Sequence, residues 1–240
     1  MTAQMTTLLA IIPARMGSKG VPYKNKALIG GVPLIEYTVA ALEASQAVTS
    51  ILLTSDDPDI LDRYRDRKSV FIVERPTALA EDDSSTADVV AHALDAWERS
   101  GAETPDALLV AQPTTPLRRA EDIDAAFGLL QKSGANSVIS ACRAEGIRHP
   151  QVMYRMGEGK RGAAYVGACG EPTRRQGFEP IYQRNGAIYL VTTRYFRSSG
   201  RLRSDDPVIY EMPWERSINI DTPGDLIIAK ALIESGLVSP

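Results

Sequence analysis

The chain has 240 residues, 44% of them hydrophobic, with 27 basic and 30 acidic side chains and a formal net charge of −3. That is enough apolar material for one full core, and the charge balance gives no general attraction to nucleic acid or an anionic membrane surface. The opening "MTAQMTTLLAIIPAR" lacks the charged start and long apolar run of a secretion signal, and no stretch reaches the roughly 20 apolar residues of a membrane span, so a cytoplasmic location is expected.

Taken in chain order, short apolar runs alternate with amphipathic ones. "LLAIIP" (8–13) reads as a strand and is followed by a loop dense in cations. "PLIEYTVAALEAS" (33–45) reads as a helix with proline at a favoured first position. Strands at 50–55, 69–73 and 107–112 then alternate with helices at 57–67, 85–100 and 120–133, and "SVISAC" (137–142) is a further strand. Residues 143–184 break the pattern, being rich in Arg, Gly and Pro with only brief apolar pieces, "QVMYR" and "AAYVGA". They read as an insertion within a single domain spanning 1–240. "GAIYLVT" (186–192) and "VIYEM" (208–212) resume the strands, and "TPGDLIIAKALIES" (222–235) is a closing helix. Strands separated by helices, some apolar at every position, predict an α/β fold with a mostly parallel sheet covered on both faces.

In such a sheet ligands gather beyond the carboxyl ends of the strands, where the loop after residue 13 belongs. Gly17 and Gly20 allow backbone N–H groups to approach oxygen atoms, Arg15 offers a planar fork and Lys19 a point charge, a set suited to a polyphosphate; the same composition would also make a solvated basic turn. Neither the Walker spacing nor G-x-G-x-x-G is present. "QPTTPLR" (112–118) lies at the same edge, where two prolines stiffen either a binding loop or a plain connector. In "SINIDTPGD" (217–225), Asp221 and Asn219 at i and i−2 of a strand end can offer oxygens to Mg²⁺, while Asp225 reads either as a ligand or as helix-start chemistry. Cys142 and Cys169 are too few for a disulfide scaffold or cysteine zinc site, and both read as packing residues. His92 reads as structural, His149 has no supported role, and no histidine base is expected.

"IIPARMGSKGVPYKN", "TSDD", "ERPTALAEDDSST", "QPTTPLR", "RNGAIYL" and "INIDTPGD" occur in this order across nearly the whole chain. Together they resemble the acylneuraminate cytidylyltransferase family, whose members couple sialic and related nonulosonic acids to CMP. The resemblance implies a Rossmann-like nucleotidyltransferase fold, CTP and an acidic sugar as substrates, Mg²⁺, and a homodimer formed through the 143–184 insertion. It implies that Arg15, Ser18, Lys19 and Lys24 surround the triphosphate, that Asn25, Arg75 and Thr86 help hold the nucleotide, and that Arg15, Lys19 and Asp221 act in catalysis. Gln112, Thr114, Arg175, Asn185 and Tyr189 fall to the sugar acid, Arg175 as the cation for its carboxylate with Arg174 as the neighbouring alternative, and Arg118 to ordering its loop. The family commonly has D-x-D where this chain has Asn219 and Asp221, which removes one negative charge from the implied metal site. Other acceptors (legionaminic, pseudaminic or deoxy-octulosonic acid, or a phosphonate), another nucleotide, or a binding protein without turnover remain open from the residues alone.

Overall fold

The structure, a computed structural model, describes residues 5–17, 20–166 and 178–238. Strand β1 (Leu8–Pro13) is buried at all positions but the last. After the opening loop, a small antiparallel hairpin, β2 (Leu28–Ile29) and β3 (Val32–Pro33), leads into α1 (Leu34–Ala44). β4 (Ser50–Ser55) precedes α2 (Pro58–Tyr64), where Asp57 accepts from the Asp59 N–H and Pro58 fills a first-turn position that needs no donor. β5 (Val70–Glu74), α3 (Thr86–Arg99), β6 (Ala107–Val110) and α4 (Ala120–Ser133) follow; Ser85 caps α3, and Gly134, at φ 66°, ends α4 in the left-handed region. Beyond β7 (Ser137–Arg143) comes a second hairpin, β8 (Tyr154–Met156) with β9 (Gly162–Ala164). The chain closes with β10 (Tyr182–Thr192), α5 (Thr193–Ser199), β11 (Val208–Glu211) and α6 (Pro223–Glu234).

Seven strands form one sheet in the order β11-β7-β10-β6-β1-β4-β5, parallel throughout except for β10, which runs antiparallel to both β6 and β7. The pleat of β1 divides the core. Leu8, Ala10 and Ile12 pack with Ile35 and Val39 of α1, Ile60 of α2 and Phe127 of α4, whereas Leu9 and Ile11 pack with Val90 and Leu94 of α3 and Phe196 of α5. α6 closes a smaller cluster in which Ala229 and Ile220 meet Val21, Ile29 and Leu34.

This topology positions a site. From β1 the chain moves to β4 and β5 on one side and then returns to β6 on the other, so the loops leaving β1 and β6 diverge and leave a crevice at the carboxyl edge. The reversal of β10 adds a third wall. Tyr189 pairs with Val110 at the end of β6, so the first half of β10 extends to the same edge.

The predicted helices all form, with ends shifted by at most three residues, and every predicted strand is present. β6 stops at Val110 rather than 112 because Ala111 and Gln112 already turn into the loop, and β10 begins at Tyr182, inside the segment read as an insertion. Two hairpins and α5 were not expected. α5 follows β10 without a break, its start marked only by Thr192, whose side chain accepts from the Tyr195 N–H.

Candidate active site

The loop after β1 is held in place by its own polar groups. Asn25 Nδ2 donates to the Arg15 carbonyl at 2.8 Å, and the Met16 N–H donates to Asp56 Oδ1 at 2.8 Å. Arg15 itself reaches across the crevice to Asp82 Oδ1 at 2.8 Å. Lys24 Nζ donates to the Ile220 carbonyl at 2.5 Å and lies 3.1 Å from Asp221 Oδ1, tying the loop to the segment before α6. Lys26 points elsewhere: it pairs with Asp57 at 2.9 Å and Asp59 at 2.7 Å at the start of α2, and the hydrogen bonds it donates to Asp59 and Asp57 raise its pKa. Ser18 and Lys19 lie outside the described residues. Gly20 shows why a glycine stands there, since an added Cβ would sit 1.8 Å from the Asp221 carbonyl oxygen.

A cleft of about 330 Å³ opens between this loop, the start of α3 and the loop after β6, lined by Arg15, Lys24, Asn25, Arg75, Thr86 and Gln112 among others, with Thr114, Asn219 and Asp221 at its far wall. Arg75 is only 5% exposed. Its Nη2 donates to the Thr54 carbonyl at 3.0 Å while Nε has no partner among the described residues. Burial pulls its pKa down to about 10 against the opposing attraction of Asp56, so it remains a cation at neutral pH. A fixed, under-satisfied guanidinium facing a cleft is suited to an anion. Thr86 is the first residue of α3, where free backbone N–H groups and the helix dipole also favour negative charge.

The loop after β6 is built on a fully buried arginine. Arg118 donates to Thr115 Oγ1 at 3.1 Å, the Ala187 carbonyl at 2.5 Å and Thr38 Oγ1 at 3.0 Å, which matches the loop-ordering role expected of it. The Thr114 carbonyl accepts from the Ile220 N–H at 2.8 Å, locking this loop to residues 219–221. Asn185 is engaged within the protein: its Oδ1 accepts from Ser140 Oγ at 2.5 Å and the Ala187 N–H at 3.1 Å, and its Nδ2 donates to Ser217 Oγ at 2.8 Å. It holds the bend at Gly186, whose φ is +81°, and so sets the position of Tyr189.

At the segment before α6, Asn219 Nδ2 donates to Asp221 Oδ2 at 2.7 Å, while Asn219 Oδ1 is buried without a partner among the described residues. Asp225 is helix-start chemistry: its Oδ2 accepts from the Asp221 and Thr222 N–H groups and from Thr222 Oγ1, and Thr222 Oγ1 accepts in return from the Asp225 N–H at 3.3 Å. Burial pushes its pKa up, but these hydrogen bonds outweigh burial and leave it below the ordinary aspartate value. Among the described residues no group of three or more His, Cys, Asp or Glu is arranged to hold a metal. The oxygens on offer are the exposed carboxylate of Asp221 and the unpartnered Asn219 Oδ1, a hard-oxygen pair that fits Mg²⁺ carried in by phosphate oxygens and not a metal held by the protein alone.

Two further cavities continue the cleft, sharing Gln112, Arg184 and Tyr189. Arg175 and Arg174, like Cys169, lie outside the described residues. Four site features were not read from the sequence: Asp82 opposite Arg15, the engagement of Lys26 with α2, Arg184 with its guanidinium 5.6 Å from the Tyr189 ring centre, and the Gly200–Arg203 turn in one of the added cavities. The alternation of strands and helices carries no signal for them, because each depends on how elements distant in the chain come together.

A cationic crevice at the switch point of a largely parallel sheet is the arrangement of a nucleotide-handling α/β protein. The family model described as cytidylyltransferase matches residues 9–193, and the chain belongs to this family. The N-acylneuraminate cytidylyltransferase of Streptococcus agalactiae serotype V is 27% identical over 220 residues, 91% of this chain and 51% of that protein. The CMP-N,N'-diacetyllegionaminic acid synthase of Legionella pneumophila is 30% identical over 235 residues, 95% of this chain and 96% of that protein. The chain thus spans about half the length of the streptococcal relative. Among solved structures, a CMP:2-keto-3-deoxy-manno-octonic acid synthetase complexed with CTP shares the fold at a TM-score of 0.66 and 16% identity, covering 96% of this chain and 99% of that one. A 4-diphosphocytidyl-2C-methyl-D-erythritol synthase does so at a TM-score of 0.66 and 17% identity, covering 95% and 98%. The expected family and fold are therefore borne out.

Proposed function

We propose that the chain couples CTP to the anomeric hydroxyl of a nonulosonic acid, giving the CMP-sugar and pyrophosphate. The observation that carries this reading is the cleft itself, in which Arg15, Lys24 and Arg75 converge at the switch point and Gln112 links it to the cavities beside Tyr189. The near end-to-end match with the Legionella synthase supports an acidic sugar as acceptor. Arg15, Ser18, Lys19, Lys24, Asn25, Arg75 and Thr86 hold the nucleotide; Gln112, Thr114, Arg175 and Tyr189 hold the acid, and Asn185 contributes by fixing β10.

The protein's part in such a transfer is positioning and charge neutralisation. In the free chain Arg15 and Lys24 are already paired with Asp82 and Asp221. These carboxylates, at 2.8 and 3.1 Å, hold the cations in place before a triphosphate arrives to compete for them, so little reorganisation is needed when phosphate charge builds. Asp221, with Asn219 Oδ1 beside it, would hold Mg²⁺, which when bound neutralises phosphate charge.

We also infer a homodimer through residues 143–184. The β8–β9 hairpin and its flanks expose Ile147, Tyr154, Met156 and Tyr165, an apolar surface of the kind that self-association covers. Sedimentation at micromolar concentration is expected to give twice the mass of the chain. No helix among the described residues is long and apolar enough to cross a membrane, which is compatible with the cytoplasmic location we propose. The test of the activity is pyrophosphate release with CTP, GTP, UTP and ATP against a panel of sugar acids. Release that requires both CTP and a nonulosonic acid is expected; release with another nucleotide alone, or with none, would overturn the reading.

A further inference from the structure

A cavity of about 470 Å³ adjoins the nucleotide cleft through Thr86 and Gln112. Its outer wall carries three arginines, Arg184 from β10 and Arg201 and Arg203 from the turn after α5, and among the described residues no acidic one lines it. The turn is built rather than loose. Gly200, at φ 66°, ends α5, Leu202 packs into the core beneath α3, and Ser204 is 3% exposed with its N–H donating to Ser137 Oγ at 2.9 Å. Ser204 therefore faces inward, while Leu202, half-buried against the core, lines the cavity together with Arg201 and Arg203. Arg201 pairs with Asp205 on the turn, at 2.5 Å, and Arg203 lies close enough to the same carboxylate to help lower its pKa, so one aspartate faces two arginines. Arg184 rests over the Tyr189 ring, which limits its freedom.

A nonulosonic acid brings one carboxylate, on the carbon whose hydroxyl reacts, and one guanidinium is enough to grip it in bidentate fashion. Three arginines balanced by the single carboxylate of Asp205, beside the start of α3, leave more positive charge than that requires. We propose that this cavity is a second anion subsite, and that the acceptor carries, besides its carboxylate, a further anionic group such as a phosphate or a second carboxylate on the end remote from the reacting carbon. The inference rests on the acceptor assignment made above. Gln112 and Tyr189 hold the sugar between the two ends, since both border the cavity.

The test is calorimetric titration of the full chain, in saturating CMP, with a matched pair of probes: N-acetylneuraminic acid and its 9-phosphate. The phosphate is expected to bind about tenfold more tightly or better, the gain of one charge-assisted contact. Arg203→Gln and Arg184→Gln, both at exposed positions, are expected to shrink that gap to threefold or less while CMP affinity is kept as the control of folding. Equal affinity for the two probes, binding of neither, or a gap unchanged in both variants overturns the proposal. A gap that disappears only in Arg15→Gln assigns the phosphate to the nucleotide cleft and overturns it as well. Pyrophosphate release judges the acceptor reading separately: a probe preference without turnover of any acid would sink that reading and leave the subsite standing.

Discussion

Gly20→Ala tests whether the loop after β1 and the segment before α6 work as one unit. The added Cβ would lie 1.8 Å from the Asp221 carbonyl oxygen, and ordinary contact begins near 3.4 Å, so loop and segment must separate by about 1.6 Å. Lys24 bridges the same two pieces through the Ile220 carbonyl and Asp221. Separation by that amount moves the phosphate-facing cations relative to Asp221, and misplacement on the order of 1 Å costs about a hundredfold in turnover. The atom met is backbone, and Val21 and Ile220 beside it are buried together, so the separation should also cost about 1–3 kcal/mol of stability. Gly128→Ala is the companion: it lies within α4 with nothing within 4 Å of its added Cβ, and should gain about 0.5–1 kcal/mol with activity intact. The assay is kcat/KM for pyrophosphate release together with thermal melting of both variants. Wild-type kcat/KM in Gly20→Ala would refute the claim that the close approach at Asp221 sets the site geometry.

Three further outcomes follow from particular contacts. Arg118→Met leaves the Ala187 carbonyl, Thr115 and Thr38 without their buried donor and should cost about 3 kcal/mol, a fall in Tm of about 6–12 °C, checked by melting. A hydrogen bond from Arg67 lowers the Glu43 pKa, against burial, with Ser69 adding to the effect; a folded value below the unfolded one means stability fully present above about pH 4.3 and lost as pH falls through the folded value. Denaturant midpoints from pH 7 to 3 should show that loss, and Arg67→Met should flatten it; an unchanged acid limb in the variant would contradict the assignment. For the metal, Asn219→Asp should lower the Mg²⁺ concentration needed for half-maximal activity at fixed CTP and Asp221→Asn should nearly abolish turnover, whereas an unchanged titration in Asn219→Asp would remove residue 219 from the metal's surroundings.

What could be read from the sequence was local. β1 and α4 form where periodicity and flanking residues put them, and the loops at 14–27, 112–118 and 218–225 meet at one edge because each follows or pairs with a strand end in a largely parallel sheet. Arg118 was assigned to loop ordering from its motif, yet its three acceptors come from residues as distant as Thr38 and Ala187. Lys26 carries the same charge as Lys24 two positions away, and only the placement of α2 shows that it belongs to Asp57 and Asp59. Arg184, Arg201 and Arg203 were not singled out in the sequence, because the antiparallel course of β10, which brings Arg184 to them, cannot be inferred from alternation of strands and helices. α5 escaped notice because seven residues directly after a strand give too short a period to recognise.

The central claim is that the acid's hydroxyl takes the α-phosphate of CTP. CTP radiolabelled on its α-phosphate, incubated with the chain, Mg²⁺ and a nonulosonic acid, tests it most directly. The account predicts label in a CMP-linked acid, formed only when the acid is present, with unlabelled pyrophosphate released in equal amount. Label appearing in free CMP or CDP regardless of the acid, or remaining wholly in CTP across the acid panel, would contradict it.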